Sequence, residues 1–155
     1  MKLFSTLDVL KLSIAIENKE KAFYNTVAVL TENSDLEYLF IQMADEEELH
    51  IEYLLQAFKN LQTLGEFPNY DFKSKTNEVV EKILKTPKTM EYLKNSDFER
   101  LCISSAIEQE DYAIELYRER AEKVEDAAEK KLFSWLAGWE EKHHEVLIKL
   151  KDCCS

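Results

Sequence analysis

Glu47 with His50, and Glu140 with His143, are the side chains of this 155-residue sequence whose types and spacing are most suggestive of chemistry. The first pair sits within the series Leu36, Phe40, Met43, Glu47, His50, Leu54, Ala57 and Leu61, whose steps alternate between four and three. Such spacing lines up one face of an α-helix. Six of the eight residues are apolar, so a carboxylate and an imidazole interrupt a stripe that should be buried. Phe133, Leu136, Glu140, His143, Leu147 and Leu150 repeat the arrangement. A buried carboxylate without a partner costs several kcal/mol. One such pair could belong to a polar network in a core. Two, on separate helices and each centred in its stripe, point to a shared counter-charge, for which a metal is the natural choice. Carboxylate oxygen and imidazole nitrogen suit redox-active ions such as Fe²⁺ and Mn²⁺. Glu at i and His at i+3 can reach one ion, and the carboxylates can bridge two.

The elements that must position these groups are long helices. Two Gly and two Pro are too few for an all-β or Rossmann-type chain, and 45% hydrophobic content supplies a sizeable core. The length suggests one domain over residues 1–155. A first helix is expected from about Ser5 to Leu30, capped by Ser5 or Thr6. After a short turn, a second starts with Ser34 as its cap and ends near Gly65, with Pro68 just beyond. A third is expected over Asp97–Val124 and a fourth over Asp126–Lys151. The connection from residue 66 to about 96 is the longest, with helical pieces at Asn77–Lys85 and Lys88–Lys94. The fold class is therefore all-α, a left-handed four-helix bundle whose second and third helices are parallel across a long crossover.

The chain reads as an internal repeat. Ser13-Ile-Ala-Ile-Glu17 aligns with Ser104-Ser-Ala-Ile-Glu108, and Glu20 then matches Asp111. Glu17 precedes Glu47 by 30 residues and Glu108 precedes Glu140 by 32. Each half is thus a helical hairpin with an acid on its first helix and Glu-x-x-His on its second. Two hairpins related by a pseudo-two-fold would gather both sets in one place. Glu17, Glu47, Glu108 and Glu140 would neutralise two divalent ions, and Glu20 with Asp111 would extend the balance to two trivalent ions. The third helix carries a second possible face. Ile103, Ile107, Ile114, Tyr117 and Ala121 form an apolar stripe that includes Glu110, whereas Glu108 and Asp111 share a side with Ser104, Glu115 and Arg118. The repeat turns the Glu108 side inward. The third helix is then apolar on its back, which suggests a homodimer.

These motifs carry a family resemblance. A Glu from each of two helices plus Glu-x-x-His from each of the other two is the ligand set of ferritin-like di-iron and di-manganese bundles. Ala44-Asp-Glu-Glu-Glu-Leu-His50, Glu108-Gln-Glu-Asp-Tyr112, Glu140-Glu-Lys-His143 and Glu17 with Tyr24 resemble the four helix motifs of the rubrerythrin branch of that family. The resemblance covers nearly the whole chain. It implies two iron ions, with manganese possible, and reduction of hydrogen peroxide. The metal set it implies is Glu17, Glu20, Glu47, His50, Glu108, Asp111, Glu140 and His143. His50 and Asp111 match the pair that exchanges as ligands of one iron with oxidation state. Asp111 departs from the family's usual Glu by one methylene, and the extra acid Glu20 resembles symerythrin. The sequence stops at Ser155 without the C-x-x-C pairs of a rubredoxin domain, so electrons are expected from a separate donor protein. A dioxygen-dependent ferroxidase or oxygenase, and a non-catalytic iron-binding or sensing protein, are the alternative readings.

A formal net charge of −11 without a basic patch argues against nucleic acid and anionic membranes as partners. No signal peptide or membrane span is visible, and three Cys give no disulfide framework, so a cytoplasmic protein is expected. Cys102 should pack as a small apolar residue, and Cys153 with Cys154 as free thiols. Asp45, Glu46 and Glu48 read as a solvated face and His144 as exposed. Tyr24 and Tyr112 read as donors to carboxylates or as core aromatics, and Gly138 as a site of close helix packing.

Overall fold

The computed structural model of the chain describes residues 5–72 and 86–153. Its helices are α1 (Thr6–Leu30), α2 (Ser34–Leu64), α3 (Pro87–Lys94), α4 (Asp97–Lys123) and α5 (Ala127–Asp152). Local chemistry sets their ends. Ser5 and Asp8 close a reciprocal capping box at the start of α1. At α2 the cap is Asn33, whose side chain accepts from the Leu36 N–H, rather than the expected Ser34. Asp126 caps α5 by accepting from the Glu129 N–H at 2.9 Å. Gly65 ends α2 at φ 73°, a left-handed position that favours glycine. Gly138 has no such role: a Cβ there would meet nothing within 4 Å, so close packing does not require it.

α1 and α2 form one hairpin and α4 and α5 the other, and α1 lies beside α4. The α1–α4 pair is antiparallel. The Arg120 guanidinium, near the end of α4, donates to Thr6 Oγ1 at the start of α1 at 2.9 Å and to Glu129 Oε2 at 2.7 Å. The ends of the crossover are tied down as well. Before it, the Tyr70 hydroxyl donates to the Tyr53 carbonyl at 3.1 Å, and the Lys131 amine donates to the Tyr70 carbonyl at 3.1 Å. After it, Pro87 opens α3 and the Thr89 hydroxyl donates to Asp35 Oδ2 at 2.7 Å. The helical piece expected at Asn77–Lys85 and Cys154 lie outside the described residues.

The apolar core is in two blocks. One gathers Tyr24, Phe40, Met43, Leu93, Ile103 and Leu147, with Cys102 packed against it. The other gathers Leu10, Leu54, Tyr117, Phe133 and Leu136. Between the blocks, at mid-height of the four long helices, sits a buried polar layer. Among the described residues, no helix is long and apolar enough to cross a membrane.

Candidate metal centre

The polar layer contains Glu17 and Glu20 from α1, Glu46, Glu47 and His50 from α2, Glu110 from α4, and Glu140 and His143 from α5. None is more than 2% exposed. Their donor atoms form two groups: Glu17, Glu47, His50 and Glu140, and Glu47, Glu110, Glu140 and His143. Within each group the atoms lie within 4.8 Å of one another. Glu47 and Glu140 belong to both. The geometry thus separates two carboxylates shared by both groups from two Glu–His pairs that belong to one group each, Glu17 with His50 and Glu110 with His143. His50 Nδ1 lies 3.4 Å from both Glu17 and Glu140, and His143 Nδ1 lies 2.9 Å from Glu47.

A metal pair fits these residues. Buried carboxylates and imidazoles of native proteins are almost always hydrogen-bonded. Here, apart from Gln42 Oε1, every buried side-chain N or O atom without a hydrogen-bond partner among the described residues belongs to Glu17, Glu20, Glu47, His50, Glu110, Glu140 or His143. Ligation by cations satisfies oxygen and nitrogen acceptors that no protein donor reaches.

Six of the eight expected ligands are in this layer. Glu108 and Asp111 are not, and Glu110 occupies the inward position of α4 instead. Asp111 is 61% exposed and pairs with His144 at 2.8 Å, so it is not placed to exchange with His50. His144, expected to be exposed, is 30% exposed in that pair. The rotation of α4 has a simple energetic cause. Facing Glu108 inward would expose Ile103, Ile107 and Tyr117, each worth about 1.5–3 kcal/mol when buried, and would bury Arg118 and Glu115 in exchange. The same rotation removes the apolar back from which a dimer was inferred, because Ile103 and Ile107 face the core.

The observed pairing restores the internal repeat with another register. Glu17 and Glu110 are 93 residues apart, and so are Tyr24 and Tyr117, Phe40 and Phe133, Glu47 and Glu140, and His50 and His143. The two tyrosines cross between the halves. The Tyr24 hydroxyl donates to Glu110 Oε1, and the Tyr117 hydroxyl donates to Glu17 Oε1 at 3.1 Å. Each of these two carboxylates is therefore oriented by the opposite hairpin. Burial first, and then the adjacent carboxylates, push both phenols well above their ordinary range, which keeps them protonated as donors. Of the two tyrosines read as donors or core aromatics, Tyr24 is thus a donor, whereas Tyr112 is 57% exposed.

The repeat breaks at two places. Ala113 stands where Glu20 would have its counterpart, so Glu20 is a fifth acid beside the centre on one side only. Trp139 is the counterpart of Glu46. Glu46, expected on a solvated face, is buried and accepts from His143 Nε2 at 2.5 Å, a contact that aims Nδ1 at the other carboxylates. His50 instead has Trp135 and Trp139 rings at 5.2 and 5.6 Å.

The electrostatics of this layer predict how the metal-free protein responds to pH. Burial, reinforced by Glu110 and Glu17, pushes the Glu20 and Glu140 carboxyls well above the ordinary 4.5. Burial pulls His143 down, but the Glu110 and Glu46 carboxylates outweigh it and raise the imidazole to about 10. Groups raised in the folded state contribute stability fully below their unfolded values and lose it as pH rises through the folded values. Glu110 has the opposite sign. Burial would raise it, but the Glu140, His143 and Tyr24 side chains that face it outweigh burial and hold it below 4.5, so its contribution fades only on acidification. The melting temperature of chelator-treated protein should therefore fall between about pH 5 and pH 9. Glu20→Gln should raise the melting temperature at about pH 8 and flatten the slope. A flat profile for the unaltered chain, measured by calorimetry, would show that these carboxyls do not titrate as described. Metal-loaded protein should show the reverse trend at low pH, where protons compete for the ligands.

The rubrerythrin profile matches residues 8–151, a span that holds all eight residues of the layer. No curated protein and no solved structure gives a significant match. With its ferritin-like helical architecture and its two Glu–His groups sharing Glu47 and Glu140, the chain belongs to the rubrerythrin family.

Proposed function

We propose that the protein is a di-iron peroxidase that reduces hydrogen peroxide with electrons from a separate donor protein. The observation that carries this reading is the sharing of Glu47 and Glu140 between two ligand groups, which suits two ions close together rather than two independent sites. Glu17 and His50 would hold one ion, Glu110 and His143 the other, and Glu47 and Glu140 would bridge them. When bound, a ferrous pair supplies the two electrons that, with two protons, convert hydrogen peroxide into two water molecules. The chain's own residues set the conditions. Tyr24 and Tyr117 fix the terminal carboxylates, Glu46 fixes the His143 ring, and the two apolar blocks exclude bulk water above and below. The expected homodimer is a separate proposal, checked by the light-scattering mass.

The test is anaerobic. Iron-loaded protein reduced by an artificial one-electron donor should turn over hydrogen peroxide, with peroxide consumed and donor oxidised in a ratio of about one to two by the electron balance of the reaction. Turnover with dioxygen but not with peroxide would favour an oxygenase or ferroxidase. Stable iron binding without either turnover would make the protein a binding or sensing module.

A further inference from the structure

The centre lies between apolar blocks, and a hydrated divalent cation does not cross apolar packing readily. A cavity of about 500 Å³ between α1 and α4 reaches from the surface to a carboxylate beside the centre, and its partly apolar wall carries charged and hydroxyl groups. Its lining includes Ile16, Lys19, Glu20 and Phe23 on α1, and Ser105, Glu108 and Tyr112 on α4. Glu20 is the link to the centre. It is 1% exposed, neither carboxylate oxygen has a hydrogen-bond partner, and its carboxyl interacts with those of Glu110, Glu17 and Glu140. Two other surface cavities, one bounded by Leu101 and Leu150 and one by Tyr70 and Ala128, are lined by no residue of the centre.

We infer that this groove is the loading route for divalent metal ions, with Glu108 as the outer and Glu20 as the inner carboxylate. The broken repeat supports a one-sided device. Glu20 has no acidic counterpart, because Ala113 fills that position, and the four carboxylates of the two ligand groups already match two divalent charges. The fifth acid is therefore available as a transfer ligand. It exchanges an incoming ion's water for carboxylate oxygen before the ion reaches Glu17 and Glu110. Glu108, exposed beside it in the groove wall, supplies the negative potential that draws the cation in. Lys19 is the opposing charge in the same lining.

The inference rests on the metal-centre reading but not on peroxide chemistry, and it is tested without turnover. Metal-free protein is mixed with Co²⁺ in a stopped-flow instrument. Uptake is followed by cobalt ligand-field absorption and by quenching of Trp135 and Trp139, whose rings lie beside His50. Glu108→Lys should slow uptake by about tenfold at low salt, with the difference shrinking as salt rises. Lys19→Gln should accelerate uptake, and Ser105→Trp, which fills the groove, should slow it regardless of salt. All three should reach the wild-type stoichiometry at equilibrium. Glu52→Lys, the same charge change at an exposed position of α2 outside the groove lining, should load at close to the wild-type rate. Wild-type rates in both Glu108→Lys and Ser105→Trp would overturn the route. A lower final stoichiometry in Glu108→Lys would also overturn it, by making Glu108 part of the centre itself. Failure of the unaltered protein to take up cobalt or iron would sink both this route and the di-iron reading. Normal, groove-dependent uptake without peroxide turnover would sink only the proposed activity.

Discussion

Glu110→Gln is expected to cut the metal content from two ions per chain to about one, while Glu108→Gln and Asp111→Asn keep both at equilibrium. Glutamine preserves the length of the side chain and can still accept from the Tyr24 hydroxyl, so the substitution removes ligand charge with little disturbance of packing. The ion held by Glu110 and His143 should be the one lost, because Glu17 and His50 are untouched. Asp111→Asn breaks only the half-exposed pair with His144, worth about 0–1 kcal/mol. Plasma mass spectrometry on the three variants after anaerobic loading decides the matter. Two ions in Glu110→Gln alongside one in Glu108→Gln would mean that α4 presents the Ser104–Glu108–Asp111 side to the centre in solution.

His50→Ala and His143→Ala should each lose metal yet keep most of their helix content by circular dichroism, because both apolar blocks remain intact. The lost linkage should lower the stability of the metal-loaded protein by about 2–4 kcal/mol, the range expected when free metal is about 30 to 1,000 times the dissociation constant. The two variants should differ once metal is removed from both. His143→Ala leaves Glu46 buried without its imidazole partner, and breaking a buried pair costs about 3–5 kcal/mol. His50→Ala removes only looser contacts, 3.4 Å from Nδ1 to Glu17 and to Glu140, and Glu17 keeps the Tyr117 hydroxyl as its donor. Metal-free His143→Ala should therefore unfold at lower denaturant. Equal midpoints would show that the Glu46–His143 contact contributes nothing to the fold.

Much of this arrangement is legible in the residues. The alternating steps of four and three expose the buried faces of α2 and α5 together with the interruptions at Glu47, His50, Glu140 and His143. Scarce glycine and proline, with caps at Ser5 and Asp126, account for the long helices. What misleads is α4. The likeness of Ser13–Glu17 to Ser104–Glu108 is local and sets a register of 91 residues, which conflicts with the 93 residues separating the two Glu-x-x-His pairs. The unequal intervals, 30 and 32, signal that conflict, and Glu110 makes both intervals 30. The apolar stripe through Ile103, Ile107 and Tyr117 points the same way, since burial of those side chains decides the rotation. Glu46 carries no comparable signal. It lies in the acidic run Asp45–Glu48, and only the approach of α5 distinguishes it from Asp45, which stays exposed.

The division of the apolar core into two blocks has a consequence for cooperativity. In most small domains one continuous core makes unfolding all-or-none. Here the blocks are separated by a layer of carboxylates that repel one another when no cation is present. A metal pair held from all four long helices would join the blocks mechanically and remove the repulsion between them. Without it, each block can open as a unit with its own free energy. Heating the metal-free chain should then give a van't Hoff enthalpy smaller than the calorimetric one, and restoring the metal should bring the two together. Ions bound at the centre would thus be the coupling that makes a two-part interior melt as one.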